Sequence, residues 1–256
     1  MSAYDSLASV YDNINSGIDY IAWADFIEKC FKKYLKDKPE LVLDLACGTG
    51  SMTLELASRG YDMIGADMSG EMLTEAMDKA YDRKIEDVLF LKQDMRSFEL
   101  YGTVGAIVCC LDSVNYLTED GDLEKCFNCA HNYLDPDGLF IFDVNTPYKF
   151  INVYGDNHYI FEDKNSFGDN VYCGWQNEFD PETKLCNFYL SVFTEGEDGR
   201  FDREDEVQTE RCYTKDELTE NLEKSGFEML GFFGDYTMSA PKEDCERWYI
   251  VARAKK

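Results

Sequence analysis

Apolar residues along the chain change period twice, and each change marks a change of architecture. Ile21, Ala24, Ile27, Phe31 and Tyr34 recur three and four apart, which predicts an amphipathic helix over 18–35 after a polar, tyrosine-containing segment over 1–19. Asp37, Lys38 and Pro39 break it. Short apolar runs with little alternation follow: LVLDLA (41–46), YDMIGAD (61–67), VLFLKQD (88–94), VGAIVCC (104–110) and GLFIFDV (138–144). Helical patterns lie between most of them: MTLELASR, closed at Gly60, then Met72 to Lys79, then a helix centred on Leu123 to Tyr133 that leads through the turn sequence DPDG. Strands that do not alternate, separated mostly by helices, predict a doubly wound parallel sheet covered on both faces. The connection between Asp94 and Thr103 is too short for a full crossover helix, so one abbreviated or distorted helix is expected there.

After Val144 the period becomes two. HYIFED, NVYCGWQNEF, KLCNFYLSVF and an acidic stretch ending at RCY, separated by DPET and EDGR turns, predict an inserted antiparallel layer of about four strands over 145–213. The layer is expected to set specificity, and its aromatics, Tyr159, Phe161, Tyr172, Trp175, Phe188 and Tyr189, are expected to offer one apolar face that for any single ring serves to pack the layer on the domain. The earlier pattern then resumes. Thr214 and Glu217 form a capping box opening a helix that Gly226 ends, and FEMLGFF and RWYIVARAK are two final strands forming an antiparallel pair at a sheet edge.

Composition narrows the function. The 256 residues are 45% hydrophobic, enough for a substantial core. Against 25 basic residues stand 51 acidic ones, a formal charge of −26, so nucleic acid, whose non-specific affinity comes from Lys and Arg, is disfavoured as a partner, and so is a membrane surface. No stretch approaches the 18 or so apolar residues of a spanning helix, and MSAYDSLASVYDNI lacks the parts of a signal peptide, which predicts a cytoplasmic protein. Several of the ten cysteines fall inside apolar runs and are expected as reduced core thiols. Cys126 and Cys129 have metal-like spacing without a second pair nearby, so no metal is expected.

The strongest local signal is VLDLACGTGSM, in which Gly48 and Gly50 let a strand-to-helix turn bring backbone N–H groups against a ligand. The nicotinamide fingerprint would want Gly or Ala where Thr53 stands. Asp67, 17 residues beyond Gly50, ends the second strand where a ribose would lie, and Asp94 ends the third. Two carboxylates on neighbouring strands predict an electronegative crevice suited to a ribose, an amine or a sulfonium and poorly suited to a pyrophosphate.

VLDLACGTG, GADMS and KQDMRSF resemble the successive cofactor motifs of the class I S-adenosylmethionine-dependent methyltransferases, in the small-molecule branch that includes sugar N-methyltransferases. The resemblance covers 38–144 firmly and 214–256 more loosely. It implies a Rossmann-like methyltransferase fold, a seven-stranded, mostly parallel sheet whose last strand is antiparallel, with S-adenosyl-L-methionine across the ends of the first four strands. Position by position it implies that Gly48 and Gly50 lie under the methionine part and that Asp44 orders the turn. It gives Asp67 to the ribose, Met68 to adenine packing, and Asp94 with Met95 to the adenine edge, and it places Leu111 and Asp112 at the strand-four exit. More weakly, Tyr11, Asp12 and Tyr20 resemble a segment that folds over the cofactor, so that 1–37 would be a lid and helix.

The expected reaction is in-line methyl transfer to a nitrogen or oxygen of a small molecule, with Asp112, Asn145 and His158 as candidate catalytic residues. Two alternatives stay open from the residues: an NAD-linked oxidoreductase on a similar fold, and a cofactor-binding protein without activity.

Overall fold

The computed structural model describes residues 8, 11–164 and 168–256, the side chains of 13 and 14 apart. Residues 1–7, 9 and 10, part of the segment read as a lid, lie outside the described residues. A four-residue helix α1 (Tyr11–Ile14) and α2 (Tyr20–Tyr34) precede the alternation β1 (Leu41–Leu45), α3 (Ser51–Ser58), β2 (Asp62–Asp67), α4 (Gly70–Asp82), β3 (Val88–Lys92), β4 (Val104–Cys109), α5 (Asp122–Tyr133) and β5 (Leu134–Asn145). The strands β6 (His158–Lys164), β7 (Asn170–Asp180), β8 (Leu185–Glu195) and β9 (Phe201–Arg211) form a separate antiparallel sheet. The chain ends with α6 (Lys215–Lys224), β10 (Phe227–Phe233) and β11 (Arg247–Ala254).

The main sheet has seven strands in the order β10-β11-β5-β4-β1-β2-β3. Its pairs from β5 to β3 are parallel, and β11 pairs antiparallel with both β5 and β10. Winding reverses between β1 and β4, which opens a crevice at the carboxyl ends of those strands. Strand alternation divides the core in two: Val42, Ala106, Val108 and Ile141 pack under α2 and α3, while Leu43, Leu45, Ile107 and Phe142 pack under α5 and α6. The capping box at Thr214 and Glu217 is formed, and Gly60 and Gly226 end α3 and α6 at positive φ.

Two expectations need correction. Residues 93–103 hold turns and irregular chain in place of a short helix. Ser97 N–H donates to the Asp94 carbonyl at 3.0 Å, Arg96 folds back on the Asp94 carboxylate, and Phe98 is buried in the core, so the chain crosses to β4 pinned by one aromatic anchor. The aromatics of the inserted layer do not share one face. Phe161, Trp175 and Phe188 join an inner core with Val171, Cys173, Cys186 and Phe150, whereas Tyr172 and Tyr189 stand exposed on the other side. Side chains one residue apart on a strand point oppositely, and pairs such as Phe188 and Tyr189 must divide.

Candidate active site

The crevice begins where β1 runs into its turn. Ala46, Gly48 and Gly50 all have positive φ, and Gly50 N–H closes the turn on the Cys47 carbonyl at 2.9 Å. The two glycines are needed for different reasons. A Cβ on Gly50 would lie 2.9 Å from Ala76 Cβ, so its absence lets α3 and α4 approach, whereas a Cβ on Gly48 would meet nothing within 4 Å among the described residues. Gly48 N–H donates to Asp67 Oδ2 and Ser69 N–H to Asp67 Oδ1, both at 2.8 Å, which ties the ends of β1 and β2 to one carboxylate. Burial raises the Asp67 carboxyl against these backbone bonds. Thr53 is explained by Asp44: its buried hydroxyl donates to Asp44 Oδ2, and burial pushes the Asp44 carboxyl up to about 7 in spite of that bond.

Three recesses meet here. A cavity of about 90 Å³ is lined by Gly48, Asp67, Met68, Gln93 and Met95. A recess of about 30 Å³ lies beside Asp44, Tyr20 and Ser51. The third, about 190 Å³, lies between the sheet ends and the inserted layer, lined by Asp112, Lys149, Tyr154, Trp175, Glu210 and Arg247 among others. Tyr11 and Leu111 line all three. Burial, then Asp112, Tyr20 and Asp67, raise the Tyr11 phenol well above its ordinary range, so it stays neutral. The N-terminal segment is strapped down by Asp12, which accepts from Thr49 Oγ1 and Lys79 Nζ, each at 2.6 Å.

Asp94 is not among the residues lining the 90 Å³ cavity. Arg96, two residues on, grips its carboxylate from Nε and Nη2 and reaches Asp122 with Nη1, and it holds Asp94 below its ordinary range. The crevice is therefore less electronegative than two free carboxylates would make it. His158, expected as a candidate base, stands exposed at the start of the edge strand β6 and lines none of the three recesses.

Asn145 is fully buried and lies behind the wall. Its Nδ2 donates to Glu210 Oε2 at 2.9 Å and to Tyr154 OH at 3.3 Å, and its Oδ1 accepts from Lys149 Nζ at 3.0 Å. Asp112 follows Leu111, both in the left-handed region, and its N–H donates to Asp143 Oδ2 at 2.9 Å. Arg247 bridges Asp112 Oδ1, at 2.6 Å, and the buried Asp143. Trp175, on this wall, has an indole N–H without a hydrogen-bond partner among the described residues. Sequence reasoning missed Glu210, Lys149, Tyr154 and Arg247. Glu210 had no signal, being one acid in an acidic strand. Arg247, a cation opening a final apolar strand, had one.

Residues 42–138 match the family model of a methyltransferase domain. The chain is 32% identical to YqeM of Bacillus subtilis (strain 168), which bears a methyltransferase name, over 99% of this chain and 98% of that one. It superposes on the crystal structure of an S-adenosylmethionine-dependent methyltransferase from Clostridium acetobutylicum ATCC 824 with a TM-score of 0.84, at 32% identity and 99% coverage of each chain. Over 58% of its length, and 60% of the relative's, it is 29% identical to the dTDP-3-amino-3,4,6-trideoxy-alpha-D-glucopyranose N,N-dimethyltransferase of Streptomyces venezuelae. The sheet order, the strand-end crevice and the full-length relatives agree: the chain belongs to the class I S-adenosylmethionine-dependent methyltransferases, and S-adenosylmethionine is its cofactor.

Proposed function

We propose that the chain transfers a methyl group by in-line displacement to a nitrogen or oxygen of a small molecule held in the 190 Å³ cavity. The observation that carries this reading is that Tyr11 and Leu111 line both that cavity and the recesses around the glycine turn, so donor and acceptor would face each other across two side chains. On the donor side, the open space over Gly48 fits a ligand carried close to the backbone. Asp67 uses one lone pair of each oxygen on backbone N–H groups and keeps others for ribose hydroxyls. Met68 and Met95 would flank the base, and the recess beside Asp44 and Tyr20 would take the methionine part, with Asp94 setting the Met95 turn through Arg96.

S-adenosylmethionine, when bound, supplies an electrophilic methyl group. The chain's residues align the partners, an effect worth roughly 7 to 11 kcal/mol, and the Tyr11 ring excludes water from the junction. The layer over 145–213 is on this reading the substrate-side unit, set against the donor unit 38–144 with 214–256. Trp175 offers its N–H to an acceptor oxygen, and Asn145 positions the wall. The amino-sugar dimethyltransferase among the relatives supports a small, polar acceptor. The test is a panel of small amines, amino sugars and hydroxy compounds incubated with labelled methyl donor and read by mass. A methylated small molecule is expected. Tight cofactor binding without product from any class would remove the reading.

A further inference from the structure

The 190 Å³ cavity contains a carboxyl pair that binding of the methyl donor does not require. Asp112, leaving β4 and gripped by Arg247, and Glu210, near the end of β9 and held by the Asn145 amide, both line the cavity, and the charge of Asp112 acts on Glu210. Two buried carboxyls that face one cavity resist ionising together, so one of them keeps a proton for the pair. Their surroundings decide where it sits. Asp112 is clasped by Arg247, and although burial alone would raise it, Arg247 and Lys149 hold it below its ordinary range. Glu210 is 3% exposed and receives the neutral amide of Asn145, and burial followed by Asp112 pushes it well up, which leaves the proton on Glu210. The charged and titratable groups facing it are Asp112 after β4, Lys149 and Tyr154 from the turn after β5, Cys186 on β8 and Arg247 on β11.

Resting on the methyl-transfer reading above, we propose that the acceptor is an amine, received as its ammonium ion by the Asp112 and Glu210 carboxyls, and that Glu210 is the catalytic residue that takes the nitrogen's proton. An arriving ammonium replaces the shared proton, which leaves to water. The ammonium then gives one proton to Glu210 and keeps the lone pair. That pair forms the new carbon–nitrogen bond as the carbon–sulfur pair passes to sulfur, and the proton taken by Glu210 stays on it as the product leaves, which restores the resting pair with one proton released per turnover. Asn145 is the positioning residue: its amide holds Glu210 Oε2 on one side and Lys149 Nζ on the other, which keeps the lysine's charge anchored behind the pair.

The experiment compares matched amine and hydroxyl compounds, glucosamine with glucose, ethanolamine with ethylene glycol, and glycine with glycolate, using labelled donor and wild-type protein. Methylation confined to nitrogen is expected, and methylation of a hydroxyl member overturns the inference while leaving methyl transfer intact. Absence of any product removes the underlying reading as well. With the amine that reacts, Glu210→Gln, which keeps the shape of the protonated acid, is expected to lower kcat about 100-fold at pH 7. The deficit should narrow as pH rises and free amine arrives from solution, with S-adenosylhomocysteine affinity unchanged, Tm not lowered and partial rescue in Glu210→Asp. Calorimetry of that amine binding to the S-adenosylhomocysteine complex, in two buffers of different ionisation heat, should show about one proton released by wild type and none by Glu210→Gln. A deficit constant with pH, or equal proton release in the two proteins, overturns the role of Glu210.

Discussion

Replacing Asp44 by Asn should stabilise the ligand-free protein, and by an amount that depends on pH. Asp44 is buried at 2% exposure near the carboxyl end of β1, with the Thr53 hydroxyl as its hydrogen-bond donor, and its carboxyl is raised from 3.8 to about 7, chiefly by burial. A carboxyl raised in the folded state binds its proton more tightly there than in the unfolded chain, so folding is favoured at low pH and stability is lost as pH climbs from the unfolded value to the folded one. A rise of that size corresponds to about 4 kcal/mol at pH 8, already about 1.5 kcal/mol at pH 5. The amide of the variant has no charge to desolvate, and its oxygen still accepts from Thr53. Urea denaturation of both proteins at pH 5, 6, 7 and 8 reads the difference directly. The variant should gain on the wild type by about 2 to 3 kcal/mol between pH 5 and pH 8. Parallel profiles, or a variant less stable at pH 8, would refute the view that Asp44 is a desolvated charge held for the site.

Other perturbations separate parts of the site. Asp67→Ala removes the carboxylate that ties Gly48 to Ser69, and calorimetry with S-adenosylhomocysteine should show a loss of about 100-fold or more, from charge-assisted hydrogen bonds of roughly 1.5 to 3 kcal/mol each. Asp12→Ala cuts the strap to Thr49 and Lys79, and the same titration should weaken about 5- to 30-fold, mainly through faster release in stopped flow. Gly50→Ala forces a side chain into positive φ against Ala76, and it should lower stability by about 2 kcal/mol or more in urea, where Gly48→Ala at an open position costs less.

Much of this was legible in sequence because local chemistry dictates it. Gly60 and Gly226 end helices by adopting positive φ, and Thr214 with Glu217 caps α6 whatever the rest of the chain does. The runs at 41–46 and 104–110 form strands because, Asp44 apart, every side chain in them is apolar or absent. The crossover after Asp94 was misread because Arg96 and Phe98, a local ion pair and a distant core, jointly replace a helix there. His158 attracted attention as a base by residue type alone, and an exposed edge position carries no trace in the sequence.

By itself the sequence determined the doubly wound sheet, the inserted antiparallel layer, and the crevice at the glycine turn, where Gly48, Asp67 and Met68 lie within a stretch short enough for motif spacing to bring them together. The cavity beneath the inserted layer was decided only by tertiary structure. Asp112, Lys149, Glu210 and Arg247 come from four segments separated by as much as half the chain, and only burial distinguishes Glu210 from the exposed acids of its own strand. Its chemistry depends on losing water and gaining Asp112 and Asn145 as neighbours, a matter of distance in space that no spacing along the chain encodes.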